Sequence, residues 1–382
     1  MTYLNHIRVV HTLPTRQAMH IQSAPYRKHY HAPVLLVSQQ RLRQNAQRFI
    51  AAMPRVRPHY AVKANPDPKI LSIFQQQGTC FEVASKAEVK ALLDLKIDLR
   101  EVLYSNPIKS PEAIYYAAAQ GIIWYTVDSL QEIEKIAAIK PDAKLCLRIE
   151  VSNEGASWPL MDKFGASEQE IPAILAYARD QNMQLHGITF HVGSQCTHTE
   201  NWLEGIQAAK GLFAQFPQFG FTPELLNLGG GYPVPYTGHE PTIQAIGQTI
   251  HHALHDLPES IRVVAEPGRS LVSSAAFLVT QVIGLATRKE SHWAYLDAGF
   301  YNGLMELSQG FPSLVISERQ GLMQAWTLAG PTCDSIDVMG QHSLPCDTAV
   351  GDFMYIANMG AYSTACACEF NGFPALNLQM IP

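Results

Sequence analysis

His59-Tyr60-Ala61-Val62-Lys63-Ala64-Asn65-Pro66 is an apolar run that stops on a lysine and turns at Asn-Pro. It leads through a helix-like segment, Lys69–Gln77, into a second apolar run, Cys80-Phe81-Glu82-Val83. Strand, helix, strand is the repeating unit of a parallel sheet, because parallel neighbours need a crossover connection. The same alternation continues outward. Apolar runs recur at Val102–Tyr104, Trp124–Val127, Leu145–Ile149, Gly187–Val192, Leu225–Leu228 and Ile261–Val264. Helix-like segments separate them: Lys86–Leu95, Pro111–Gln120, Ser129–Ile139, Glu168–Asn182, Asn201–Phe216 and Thr242–Leu257. Ser85, Ser110-Pro111 and Asp128-Ser129 supply N-terminal helix signals.

Eight strand–helix units point to a closed (β/α)8 barrel over residues 30–270, with an open doubly wound sheet as the competitor. After residue 270 the helical period fades. Short runs at Phe277–Val282, Ala294–Leu296, Ala325–Leu328 and Phe353–Ile356 are broken by Gly, Pro, Asn and Asp. Residues 271–382 are therefore expected to form a second, mostly β domain. Residues 1–29 also look strand-like and are expected to join it.

Composition excludes several classes. The chain has 382 residues, 47% hydrophobic and 16% charged, with a net charge of −5. That is globular, with no basic face for nucleic acid. Seven cysteines without a C-x-x-C pair argue for reduced thiols and against a zinc site, so no metal is expected. No stretch reaches the roughly 18 apolar residues of a membrane span, and no leader-like segment opens the chain. A cytoplasmic protein is the expectation.

In such a barrel the working face lies at the C-terminal strand ends. In order these carry Lys63, Glu82, Asn106, Asp128, Arg148, His191, Gly229-Gly230-Gly231 and Glu266-Pro267-Gly268-Arg269. A strand-end lysine such as Lys63 often only caps a strand. Held at a barrel mouth and partly desolvated, its amine can condense with an aldehyde. The three glycines let backbone N–H groups approach an anion, and Gly268-Arg269 add a second close approach and a cation. Loops after strands seven and eight recurrently bind phosphate in these barrels. A phosphate site plus a carbonyl-reactive lysine points to pyridoxal 5'-phosphate. That cofactor also wants a carboxylate on its pyridine nitrogen, for which Glu266 is placed. His191 suits the ring face, Ser194 suits the phosphate, and Arg148 suits charge pairing with Glu266 or the region of the amine.

These residues and their order resemble the pyridoxal phosphate enzymes built on an alanine-racemase-like barrel, and among them the ornithine/lysine decarboxylases. The resemblance runs through Tyr60–Asn65, Phe81–Ser85, Lys163–Gly165, Phe190–Ser194, Gly229–Pro233, Ala265–Arg269, Gly330–Asp337, Gly351-Asp352, Met359–Tyr362 and Phe370–Phe373. The Gly330–Asp337 segment departs from the Cys-Glu-Ser pattern usual in diaminopimelate decarboxylases.

The resemblance implies Lys63 as the Schiff-base lysine, His191 stacked on the ring and Glu266 on the pyridinium. It implies Ser194, Gly230, Gly231, Gly268, Arg269 and Tyr362 at the phosphate; from their places at the strand ends Gly229, Glu82 and Arg148 are expected to bind the cofactor too. It implies Cys333 as the group that protonates Cα across a head-to-tail homodimer, and Asp334 on the distal amine of the substrate. The reaction implied is decarboxylation of a basic L-amino acid to a diamine, as in polyamine biosynthesis.

Two departures bear on the substrate. Glu82 stands where many relatives have aspartate. Relatives also often carry an acid just after the segment matching Tyr301–Glu306, whereas here Leu307–Pro312 has none. Tyr301 and Glu306 are the remaining substrate-side candidates. A conjugated amino acid, carboxynorspermidine or diaminopimelate is the alternative substrate. A racemase would need a tyrosine in place of Cys333. A non-catalytic regulator would be expected to lack part of the cofactor set.

Overall fold

The computed structural model describes residues 16–158 and 163–382. Backbone contacts divide the described chain into two units. One holds residues 43–233 and 241–271; the other holds residues 16–42, 234–240 and 272–382.

The first unit is a closed barrel of eight parallel strands: Val56–Ala61, Cys80–Val83, Leu103–Tyr104, Trp124–Val127, Lys144–Arg148, Gln184–Thr189, Leu225–Asn227 and Arg262–Ala265. Each pairs with its sequence neighbour, and Val263–Ala265 closes the ring against Val56–Pro58. All eight expected strands are present. Their side chains are almost continuously buried, as strands covered on both faces must be. Leu103, Trp124, Cys146, Leu225 and Val264 pack as one buried cluster. Each large apolar side chain so buried contributes about 1.5–3 kcal/mol.

Helix starts follow local chemistry. Ser85 Oγ accepts from Glu88 N, and Ser110 Oγ accepts from Ala113 N ahead of Pro111. The Asp128-Ser129 signal works differently. Ser129 makes no side-chain cap, and Asp128 Oδ2 instead accepts from Gly165 N at 3.0 Å. That carboxylate ties down the Lys163–Gly165 loop beside the barrel mouth.

The second unit is an eight-stranded β-sheet. Its path runs Val315–Ser317, Phe353–Ala357, Ala276–Arg288, Ser291–Leu296, Met323–Ala329 and Val338–Pro345. Val34–Ser38 joins it, antiparallel to Ala276–Val279 and parallel to Asn377–Ile381. Residues 30–42 therefore fall in the β unit rather than in the barrel. An apolar five-residue run reads alike in either setting, and only its partners distinguish the two.

A second correction concerns residues 16–27, which form a helix rather than a strand. Met19, Ser23 and Tyr26 recur at helical spacing, with Met19 buried against Val34, Leu36, Phe277 and Val279 and Tyr26 packed on the same cluster. The expectation for residues 1–15 lies outside the described residues.

Candidate active site

Lys63, Glu82, Arg148, His191 and Glu266 line one cavity at the C-terminal ends of the barrel strands. Ser105, Asn106, Lys163, Phe164 and Thr189 complete much of its wall. Lys63 sits in a single 3-10 turn, Val62–Ala64, that follows its strand directly. Tyr60 OH donates to Asn65 O at 3.1 Å and fixes that turn from below. Val62 and Ala64 are buried while Lys63 is exposed and lines the cavity.

Glu266 follows the last strand. Its Oε1 accepts from Ser105 Oγ and from Asn227 Nδ2, the latter at 2.7 Å. His191 Nδ1 accepts from Gly193 N at 3.0 Å, which leaves the neutral ring's proton on Nε2. Burial, then the nearby Arg148 and Lys63 cations, hold His191 well below the usual histidine range. The imidazole is therefore a neutral, flat wall. Burial also lowers Arg148, against the opposing pull of Glu266, Asp128 and Glu82. The Arg148 guanidinium lies 5.3 Å from the centre of the Phe164 ring.

Glu82 is 2% exposed, and burial pushes its carboxyl up to about 8 from the ordinary 4.5, with Lys63 pulling down and Glu266 pushing up. Between those values the native chain holds a proton that the unfolded chain releases, so stability falls as pH rises through the window. In the cofactor-free protein the slope is expected to approach ~1.4 kcal/mol per pH unit. Glu82→Gln is expected to flatten it. Urea unfolding at half-unit steps checks this, and parallel curves for the two proteins would sink it.

The glycine run is built for close approach. Gly229 N donates to Asn227 Oδ1 at 2.9 Å, and Glu266 N donates to Gly229 O at 2.7 Å. Gly229 and Gly231 have φ of +60° and +98°. A Cβ on Gly229 would collide with Phe190 O, one on Gly231 would lie 2.5 Å from Gly193 O, and one on Gly230 would lie 2.8 Å from His191 Nε2. Cys196 N donates to Gly231 O at 3.0 Å, bringing the Ser194–Cys196 strand alongside. Gly268 and Arg269 follow Glu266 directly, and Arg269 is buried. The two glycine loops, the Ser194 strand and Glu266 thus share one end of the barrel.

The other expected residues belong to the β unit. Tyr301 OH donates to Asp334 Oδ2 at 2.6 Å and stacks on Phe370 with ring centres 4.3 Å apart. That bond holds the Asp334 carboxyl below its usual range and pushes Tyr301 up to about 12. Asp334 Oδ1 accepts from Ile336 N at 3.1 Å. Cys333 is exposed, and its Sγ donates to Asn371 Oδ1 at 3.1 Å. Buried Asp337 braces this loop, accepting from Phe300 N and from both Thr332 N and Oγ1. Glu306 is buried in a four-residue helix, Met305–Ser308. Tyr362 has φ of +55°.

Ser105, Asn227, Thr189 and Lys109 were not legible as site residues. Ser105 was signalled only by a small polar residue at a strand end before Asn-Pro. Lys109 reads as a surface lysine, yet its Nζ is buried, 3.0 Å from Glu132 Oε1, and donates to Asn106 O and Thr126 O at 2.9 and 2.7 Å.

A closed parallel barrel with an amine, a carboxylate, a neutral imidazole and glycine loops at its C-terminal rim is the site of a cofactor-dependent enzyme. Residues 39–273 match the family described as pyridoxal-dependent decarboxylase, pyridoxal binding domain. A lysine/ornithine decarboxylase of Selenomonas ruminantium is 35% identical over 345 residues, covering 89% of this chain and 87% of that protein. The lysine/ornithine decarboxylase of Vibrio vulnificus, complexed with cadaverine, has a TM-score of 0.88 and 31% identity over 96% of this chain and 98% of that chain. The arginine decarboxylase of Paramecium bursaria Chlorella virus, bound to agmatine, has a TM-score of 0.89 and 28% identity over 96% of this chain and 100% of that chain.

The chain belongs to the pyridoxal-dependent decarboxylases: it is a decarboxylase that uses pyridoxal 5'-phosphate. The site fits that cofactor on its own evidence. The cavity joins an exposed amine to a carboxylate that keeps one oxygen clear of the Ser105 and Asn227 donors. Beside it, glycine backbone lies where no side chain is tolerated.

Proposed function

We propose that this enzyme decarboxylates a basic L-amino acid, ornithine or lysine, to the corresponding diamine, the chemistry of polyamine synthesis. The observation that carries the reading is the convergence of Lys63, Arg148, His191 and Glu266 on one cavity, in a chain similar throughout to enzymes named for those substrates.

Bound pyridoxal phosphate supplies the electron sink for the pair left when the Cα–carboxylate bond breaks. The protein does the rest. Lys63 would hold the cofactor, its amine being the carbonyl-reactive group that lines the cavity. Glu266 would present its carboxylate to the ring nitrogen and favour the protonated form there. His191, neutral and flat, packs the ring face without adding charge. Ser194, Gly229–Gly231, Gly268, Arg269 and Tyr362 would bind the phosphate, and Glu82 and Arg148 would flank the cofactor. Cys333 would supply the proton for Cα, and its thiol donates to Asn371 Oδ1 at 3.1 Å. Asp334 receives the far amine. Fixed dipoles and charges of this kind stabilise developing charge without reorganisation.

Cys333 is exposed in the single chain, which supports a homodimer in which each subunit completes the other's site. No helix among the described residues is long and apolar enough to cross a membrane, in keeping with a cytoplasmic enzyme.

One observation favours a second reading. Both Asp334 oxygens already accept hydrogen bonds, from Tyr301 and Ile336, and Leu307–Pro312 adds no second acid. A conjugated amino acid with a larger far end would ask less of Asp334 than a free diamino acid. Carbon dioxide release from L-ornithine, L-lysine, L-arginine, 2,4-diaminobutyrate and meso-diaminopimelate, measured in parallel, separates the two. Fast turnover of ornithine or lysine is expected. Slow turnover of all five by cofactor-loaded protein would sink the first reading in favour of the second.

A further inference from the structure

Glu266 reaches the cavity from the end of a strand, and a free glutamate there would sample several side-chain directions. Its Oε1 is fixed by two donors from different strands, Ser105 Oγ and Asn227 Nδ2. Rotating the carboxylate would break both bonds and leave buried donors unsatisfied. The second oxygen, Oε2, takes neither of these bonds, and Glu266 lines the cavity.

Ser105 is itself held firmly. Its backbone N–H donates to Val83 O at 3.0 Å in the barrel. The turn that follows is pinned from inside by Lys109, whose buried ammonium binds the carbonyls of Asn106, Pro107 and Thr126 and the carboxylate of Glu132. Lys109 N also donates to Glu132 Oε1 at 3.1 Å. An interior ion pair is weak evidence for stability, but it fixes geometry when every partner is satisfied. Here it fixes a turn whose neighbouring residue carries a hydroxyl into the site. Asn227 is steadied as well, because its Oδ1 accepts from Gly229 N.

We propose that Ser105 is a positioning residue for the reaction: its hydroxyl, with Asn227, locks Glu266 in the orientation that presents Oε2 to the ring nitrogen of the cofactor. The inference rests on the reading of Glu266 as the partner of that nitrogen. Ser105 touches neither cofactor nor substrate in this role. It acts by removing the alternative directions of the one carboxylate on which the electron sink depends. A hydrogen bond to a charged group carries a tenfold to roughly hundredfold effect.

The test uses cofactor-loaded wild type, Ser105→Ala, Ser105→Cys and Glu266→Gln. Cysteine keeps the size of serine but offers only a weak donor, so it stands in if the alanine variant fails to fold. Both Ser105 variants are expected to lose about tenfold in kcat with KM within about twofold. They are also expected to bind pyridoxal phosphate more weakly and to show an altered visible absorbance of the bound cofactor, a change that mere loss of packing would not produce. Glu266→Gln is expected to show the same spectral change with a larger loss of kcat. Ser105 variants that keep the wild-type spectrum and kcat while Glu266→Gln is impaired would overturn the role of Ser105 alone. A Glu266→Gln protein indistinguishable from wild type would overturn both readings.

Discussion

Lys63→Ala is expected to lower turnover by about 10⁴-fold or more while leaving the fold intact. The amine sits on an exposed turn between buried Val62 and Ala64, so its removal opens no core cavity. On the proposed reading it removes the group that would hold the cofactor in place and exchange with the substrate amine. Residues that act as one unit lose nearly the whole effect when one is deleted. Two other lysines lie close by. Lys163 lines the same cavity, and Lys109 is spent inside the wall on Glu132 and three carbonyls. If Lys163 substituted, the variant would keep turnover within about tenfold of wild type, and the assignment to Lys63 would fail. Single-turnover carbon dioxide release with added pyridoxal phosphate is the measurement.

Cys333→Ala is expected to cost about 10²- to 10³-fold in diamine formation, the range for a general acid. Cys333 is exposed and, among the described residues, bonds Asn371 through N and Sγ, so stability is expected to move by less than about 0.5 kcal/mol. The same variant tests the shared site. If Cys333 serves the partner's barrel, mixing Lys63→Ala with Cys333→Ala protein gives hybrids with one intact site. Half of a random mixture is hybrid, which sets recovery at about a quarter of wild-type activity in a two-fold dimer. A mixture no more active than its components would remove the shared site from the account.

Much of this was legible in the chain because barrel strands leave a plain mark. Buried on both faces, they read as short apolar runs, and the intervening helices announce themselves by caps such as Ser85 and Ser110-Pro111. The rim residues were legible too, since they follow the runs at fixed places. Val34–Ser38 misled because strand composition records burial and not partners; its pairing with Ala276–Val279 is set by contacts some 240 residues away. Residues 16–27 misled because their helical stripe is short and interrupted by Pro25. Asp128 resembled a helix cap and turned out to hold Gly165. Ser105 and Asn227 stayed hidden for a different reason. A serine and an asparagine at strand ends have many uses, and only the meeting of two strands at Glu266 Oε1 shows which one applies.

The proposed point of cofactor attachment is Lys63, at the mouth of the barrel. It is tested most directly by reducing the cofactor-loaded protein with borohydride and mapping its peptides by mass. A phosphopyridoxyl group is expected on the peptide containing Lys63 and on no other lysine. Modification of Lys163 or Lys109 with Lys63 untouched would contradict it.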